Sequence, residues 1–292
     1  MIRKMTRKIH YIIAFLASLA LPLMSRAQCI NSDSINPCHI KVSCSTYGLT
    51  IIDSHDHYLS DEYYSGSGLY YGHENFRYAQ TGSYLWKYRT GFNGILGTAR
   101  FFDSNQHILM LNRTWSGYHT FTFNDDYSLL VGPMIELSGG AIYMPANSNN
   151  PLSAKLRTSL GASAIWLCRY RMSTKDIILR LQLDAALAGA AFSPEYGESY
   201  YEIFGLGNYD NTIKFTHPGN TLAWRCTMAA DIPLGKKQKN TLRISYTIED
   251  HYSKLNGLPT SMTYFPLSFG FVKTLYKIKG KNPLKSYSPY SY

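Results

Sequence analysis

Residues 176–187 alternate apolar and polar side chains with a period of two. The apolar set is Ile177, Leu179, Leu181, Leu183, Ala185 and Leu187, and Arg180, Gln182, Asp184 and Ala186 alternate with it. A period of two predicts a β-strand whose two faces meet different surroundings. The apolar face could cover a soluble core. It could also face lipid in a transmembrane barrel, and the charged face would then line the interior of that barrel.

The composition favours the barrel. The 292 residues include 25 Tyr and 13 Phe, and only 16% are charged, whereas soluble domains average about 25% charged residues. Helical membrane proteins need apolar runs of about 20 residues, and the sequence has none beyond its N-terminus. Abundant aromatic residues without such runs are typical of outer-membrane barrels, in which Tyr and Trp form belts at both membrane interfaces.

Strand-like alternation recurs along most of the chain. Nine runs are clear, at residues 68–78, 83–102, 107–123, 127–143, 154–172, 176–189, 221–234, 242–249 and 264–278. Most are longer than the five or six residues usual for strands of soluble sheets. Because single-chain bacterial barrels have even strand numbers, we expect a tenth strand within residues 192–218. The predicted fold is all-β, an antiparallel up-and-down transmembrane barrel of about ten strands, with eight or twelve as alternatives.

The N-terminus predicts export. Four basic residues precede an apolar run at residues 11–24, and Ser25 and Ala27 suit signal-peptide cleavage after Ala27. We therefore expect a signal peptide at 1–27, a periplasmic leader at 28–63, the barrel at 64–279 and a basic, Tyr-rich tail at 280–292. The predicted location is the outer membrane of a Gram-negative bacterium.

The net charge gives no support for nucleic acid as a partner. Residues 1–27 hold five basic and no acidic residues, so cleavage lowers the formal charge from +10 to +5. Expected partners are outer-membrane lipid and the barrel-assembly machinery, together with a small-molecule ligand that the sequence does not identify. No cofactor is expected.

The cysteines supply no complete disulfide framework. Five remain after cleavage, an odd number, and no CxxC pair occurs. Cys38 and Cys44 could close a small loop, and their pairing stays open. Cys168 and Cys226 lie on apolar faces of predicted strands, where a thiol behaves as a small hydrophobe.

Eleven charged residues of the predicted strands fall on the inward face. They are Glu74, Lys87, Arg89, Glu136, Arg157, Arg180, Asp184, Arg225, Asp231, Arg243 and Glu249. The interior of a small barrel is filled by side chains, so these residues predict a hydrogen-bonded ion network. The alternative is a narrow pore whose lining charges set its selectivity.

The long connection at residues 194–208 is the best candidate for a binding site. It holds Glu195, Tyr196, Glu198, Tyr200, Tyr201 and Glu202. Long ordered loops usually bind a ligand or cap a site, and aromatic and acidic side chains suit a sugar or a cation. The alternative is a plug that packs in the barrel mouth.

Two small groups of residues suggest other chemistry. His251 and Ser253 resemble the His-x-Ser of barrel lipid hydrolases, in which His activates Ser as the nucleophile. However, Asn256 follows at a spacing that departs from that pattern, and no complete catalytic set is present. His55 and His57, with nearby carboxylates, are the candidate metal ligands. The alternative for this second group is a polar segment at the barrel mouth.

Several motifs resemble a family of outer-membrane barrels from Bacteroides-type bacteria, a domain of unknown function. They are Asp-His-Tyr-Leu-Ser at 56–60, Tyr-Ser-Gly at 64–66, Asn-Pro at 150–151, the segment 192–208, and Leu-Arg-Ile-Ser-Tyr at 242–246. The resemblance extends from about residue 46 to 279. It implies an outer-membrane location and supplies no chemistry. The sequence thus predicts a structural or ligand-binding barrel, with a lipid A or phospholipid deacylase, or a narrow channel, as alternatives.

Overall fold

The computed structural model describes residues 39–81, 84–148, 150–172, 175–234 and 240–277. The predicted signal peptide and the C-terminal tail lie outside these residues, as does Cys38. Cys44 is buried in the first strand.

The chain forms one antiparallel sheet that closes on itself. Its strands are β1 His39–Asp56, β2 Tyr64–Thr81, β3 Tyr84–Phe101, β4 Ser104–Thr122, β5 Tyr127–Tyr143, β6 Leu152–Arg171, β7 Asp176–Phe192, β8 Ile213–Thr216, β9 Thr221–Leu234, β10 Asn240–Leu255 and β11 Leu258–Lys277. Each strand pairs with its neighbour in sequence from β1 to β8 and from β9 to β11, β7 also pairs with β9, and β1 pairs with β11 over 18 residue pairs. The result is a closed ten-stranded barrel, as the sequence predicts.

The short strand β8 and the strand β9 together form one position in the wall. Both pair antiparallel with β7, β8 opposite residues 189–192 and β9 opposite residues 178–185. A turn at residues 217–220, closed by a 2.8 Å hydrogen bond from Thr221 N to His217 O, separates them. The expectation of a separate tenth strand within residues 192–218 is therefore wrong.

The tenth strand is β1, which lies inside the segment predicted to be a periplasmic leader. The boundary of the barrel at residue 64 is therefore wrong too. The alternation in β1 is weak because its outward face carries Lys41, Ser43 and Ser45 at one end and Asp53 and His55 at the other. Only Tyr47, Leu49 and Ile51 form an apolar, exposed stretch, and this is too short to give a clear pattern.

The two ends of the barrel differ in the length of their connections. At the end where β1 begins and β11 ends, which we call the short-turn end, two to five residues join the strands. At the opposite, long-loop end lie the connections 57–63, 144–151 and 193–212, the last with a π-helix, η1, at Tyr201–Gly205.

Side chains alternate between the two surfaces of the wall. On β7, Leu179, Leu183 and Leu187 are exposed on the outside, whereas Arg180 and Asp184 are buried inside. An apolar exterior around a polar interior is the arrangement that a lipid-facing barrel requires. Within the described residues, no helix is long and apolar enough to cross a membrane.

Candidate functional site

One side chain from β2 connects three arginines inside the barrel. Glu74 lies 2.6 Å from Arg180 Nη1 and 3.2 Å from Arg89 Nε, and it also contacts Arg243. Arg243 in turn donates two hydrogen bonds of 2.6 Å to Asp231, one to each carboxylate oxygen. Since these residues come from five different strands, the network ties opposite walls together.

A second group surrounds Arg225 on β9. Its guanidinium donates to Glu249 at 2.9 and 3.0 Å and to Glu136 at 2.9 Å. Glu136 also accepts from Arg157 at 2.8 Å, and Asp184 lies 3.6 Å from Arg225 and 3.5 Å from Arg89. Asp184 thus joins the two groups into one network.

The network is balanced in charge. Five arginines (Arg89, Arg157, Arg180, Arg225 and Arg243) face five carboxylates (Glu74, Glu136, Asp184, Asp231 and Glu249). Every member is buried or nearly so, and Lys87 is fully buried as well. Buried charges are tolerated when each has an opposite partner and hydrogen bonds. The structure therefore places all the predicted inward charges inside the barrel, where the five arginines and the five carboxylates pair with one another.

Uncharged polar residues complete the network. Asn93 and Asn112 donate to Glu249 at 3.3 and 3.0 Å, and Gln182 donates to both oxygens of Asp184. Tyr118 and Ser163 share a hydrogen bond of 2.8 Å. The polar face predicted for residues 176–187 already includes Gln182. Asn93, Asn112 and Tyr118 were not predicted because they carry no charge, although their parity on the strands places them on the same inward face.

Apolar clusters flank the network at both ends of the interior. The cluster toward the long-loop end includes Ile52, Ile95, Ile108, Ile142, Met262 and Tyr264. The cluster toward the short-turn end consists of Tyr118, Leu130, Ile165, Leu167 and Ile178. Two interior cavities of about 60 Å³ each lie between these side chains. Each can hold a few water molecules and is far smaller than the several hundred Å³ typical of ligand pockets.

The cavity nearer the long-loop end contains the predicted His-x-Ser pair. His251 and Ser253 lie on the inward face of β10 and line this cavity together with Asp56, Lys155 and Arg157. Lys155 Nζ lies 2.9 Å from the buried carboxylate of Asp56. A barrel enzyme that cleaves lipid at its outer wall needs its nucleophile on the lipid-facing surface, and Ser253 faces the opposite way.

An ordered segment, residues 193–212, covers this end of the barrel; we call it the cap. The side chain of Asn256, in the β10–β11 turn, donates to Ser193 O at 2.7 Å and to Asn211 O at 3.1 Å. Tyr58 OH donates to Glu198 O at 2.6 Å, and Tyr200 OH accepts from Ala154 N at 2.6 Å. The cap is thus fixed to three other parts of the rim.

The cap also has its own internal order. Ser199 N donates to the Glu202 carboxylate at 2.7 Å while Ser199 Oγ accepts from Glu202 N at 3.3 Å, the reciprocal pair of a capping box. The two hydrogen bonds from Ser199 lower the pKa of Glu202. Burial raises the pKa of Tyr200 and that of Tyr58, so both phenols remain protonated near neutral pH.

The six residues predicted to bind a ligand in the cap divide into two groups. Glu198 and Tyr200 hold the cap together, since Glu198 also accepts from Asn208 at 3.0 Å. Glu195, Tyr196, Tyr201 and Glu202 are exposed, and the exposed fractions of Tyr196 and Tyr201 are 76% and 71%. An ordered loop that exposes two tyrosines presents apolar area at little entropic cost.

The predicted metal ligands lie at the same end of the barrel. His55, His57 and Asp61 each offer one ligand atom, and these atoms lie within 4.8 Å of one another. The imidazole of His55 stacks on Tyr63, with ring centroids 4.4 Å apart. The ring of His57 lies 6.1 Å from that of Tyr196, in the cap.

A closed wall, an apolar exterior and a filled, charge-balanced interior define an outer-membrane β-barrel. The chain belongs to the family described as "Protein of unknown function (DUF3316)", whose profile matches residues 11–282. The Bacteroides-type source implied by the resemblance stays a prediction.

The solved structures that are similar to this chain include three outer-membrane proteins. The outer-membrane protease OmpT of Escherichia coli is 7% identical, with a TM-score of 0.48, over 84% of this chain and 100% of that chain. An outer-membrane channel of Pseudomonas putida F1 is 10% identical, with a TM-score of 0.37, over 85% and 100%. The translocator domain of the autotransporter NalP of Neisseria meningitidis is 8% identical, with a TM-score of 0.34, over 92% and 97%. Likeness at this level says nothing about activity. No curated protein matches the sequence.

Proposed function

We propose that this protein is a closed outer-membrane barrel whose cap binds a carbohydrate at the cell surface. In this proposal the signal peptide directs export and is cleaved after Ala27. The barrel-assembly machinery then inserts the chain, and outer-membrane lipid contacts the apolar wall. The long-loop end faces the outside of the cell, because outer-membrane barrels have short periplasmic turns and longer extracellular loops.

The observation that carries the proposal is the contrast between the interior and the cap. The charged side chains of the interior pair with one another, and the cavities among them are small. The cap, by contrast, is fixed by Asn256, Tyr58 and Tyr200 but leaves Tyr196 and Tyr201 exposed. Tyrosine rings pack against the apolar faces of sugar rings, and the carboxylates of Glu195 and Glu202 can accept hydrogen bonds from sugar hydroxyls.

Binding to an array of neutral and acidic oligosaccharides tests the proposal. The barrel, labelled and kept in detergent micelles, should bind a subset of glycans. Replacing both exposed tyrosines, Tyr196→Ser and Tyr201→Ser, should weaken that binding at least about tenfold, as loss of aromatic anchors does in other interfaces.

The matched control is Phe102→Ser, which removes an aromatic side chain that is 87% exposed at the same end of the barrel but outside the cap. Glycan binding should be unchanged in this variant. Absence of glycan binding by the unmodified protein, or equal binding by the double variant, would contradict the proposal.

A further inference from the structure

We propose that His55, His57 and Asp61 form a binding site for a divalent transition metal such as Zn²⁺ on the rim of the barrel. The site lies outside the interior network, and its function does not depend on carbohydrate binding by the cap. Two imidazoles and one carboxylate are a usual ligand set for Zn²⁺, and a fourth position can take water.

The local fold explains why these three side chains meet. His55 is on the outward face at the end of β1, and Tyr63 covers its ring. After Asp56 the chain makes a tight turn, in which Leu59 N and Ser60 N both donate to Asp56 O at 2.9 Å. This turn places His57 and Asp61, four residues apart, in direct contact.

The backbone around the site is fixed on both sides. His57 N donates to Pro259 O at 3.2 Å on β11, and the ring of His55 is held against that of Tyr63. These contacts fix the backbone of His57 and restrict the orientation of the His55 ring. The ligand atoms are within 4.8 Å of one another, so small side-chain rotations bring them to the spacing of ligands that share one metal ion.

Exposure is graded across the cluster. His55 is 7% exposed, whereas the side chains of His57 and Asp61 are 32% and 77% exposed. The ion therefore reaches the site from solvent, and the inner ligand is held in place before binding. Because the ring of Tyr196 lies beside His57, the metal site also borders the cap.

Calorimetric titration of the tag-free, EDTA-treated barrel in detergent with Zn²⁺ tests this site. One Zn²⁺ per chain should bind. His57→Ala and Asp61→Ala should each weaken the affinity for Zn²⁺ at least about tenfold. Even mutation of a residue that only hydrogen bonds to a metal ligand weakens metal binding by about this factor. Asp61→His should retain tight binding, since three histidines also form a zinc site.

The matched control is His217→Ala, which removes an exposed histidine at the same end of the barrel and should leave the titration unchanged. Heat-modifiable gel mobility shows that each variant is folded. The proposal fails if the unmodified barrel does not bind Zn²⁺, if His57→Ala and His217→Ala bind equally, or if Asp61→His is as weak as Asp61→Ala.

Discussion

Arg180 on β7 and Glu74 on β2 meet inside the barrel with 2.6 Å between Nη1 and the carboxylate, although 106 residues separate them in sequence. The two strands are not neighbours in the sheet. The contact therefore joins opposite sides of the wall. Arg89 and Arg243 approach the same carboxylate, which makes Glu74 a shared acceptor for three positive charges.

Glu74→Gln should destabilise the barrel strongly. The change removes one negative charge and leaves three buried guanidinium groups without their common partner. Loss of one member of a buried ion pair costs about 3–5 kcal/mol. Unfolding by urea, followed by heat-modifiable gel mobility, measures the difference. Glu62→Gln, at an exposed position, should stay within about 0.5 kcal/mol of the unmodified protein, and an equally small effect of Glu74→Gln would contradict the network.

Leu183→Arg should impair folding into the membrane. Leu183 is 48% exposed on the outer face near the middle of β7, so the new charge would lie in lipid at a cost of about 2–4 kcal/mol. Folding yield in lipid vesicles measures this cost. Leu206→Arg makes the same change at an exposed position of the cap and should have little effect. Equal folding of the two variants would show that the outer face of β7 does not contact lipid.

Asn256→Gly should release the cap and leave the barrel intact. Asn256 and Gly257 have φ values of 50° and 76°, the left-handed conformation of a two-residue hairpin turn. Glycine keeps this turn but removes the side-chain hydrogen bonds to Ser193 and Asn211. Limited proteolysis should then cut within residues 193–212 faster than in the unmodified protein, with an unchanged urea midpoint. Unchanged cleavage would mean that Asn256 does not hold the cap.

The alternation of side chains was sufficient to predict nine strands and the inward position of the network charges. It failed for β1, because the exposed apolar side chains along that strand are limited to Tyr47, Leu49 and Ile51. The cap was found from its length and composition. Contacts with Tyr58, Ala154 and Asn256 determine which residues of the cap are packed and which are exposed. Those contacts join segments distant in sequence, so local pattern could not reveal them.

The place of β1 in the wall can be tested by crosslinking. Leu49 on β1 and Leu267 on β11 are paired across the two strands on the outer face. In a cysteine-free background, cysteines at both positions should form a disulfide in the folded barrel. Cysteines at Leu49 and Leu222, the latter on the non-adjacent strand β9, should not. If the two pairs behave alike, β1 does not close the barrel against β11.

A filled interior leaves the long-loop end as the proposed place of function. Planar-bilayer recording of the purified protein tests whether the interior is closed, with insertion verified by protease protection of the same membranes. The ion network and its flanking apolar clusters predict that inserted barrels produce no conductance steps above the bilayer background. Reproducible, stepwise single-channel currents from the unmodified protein would contradict the account.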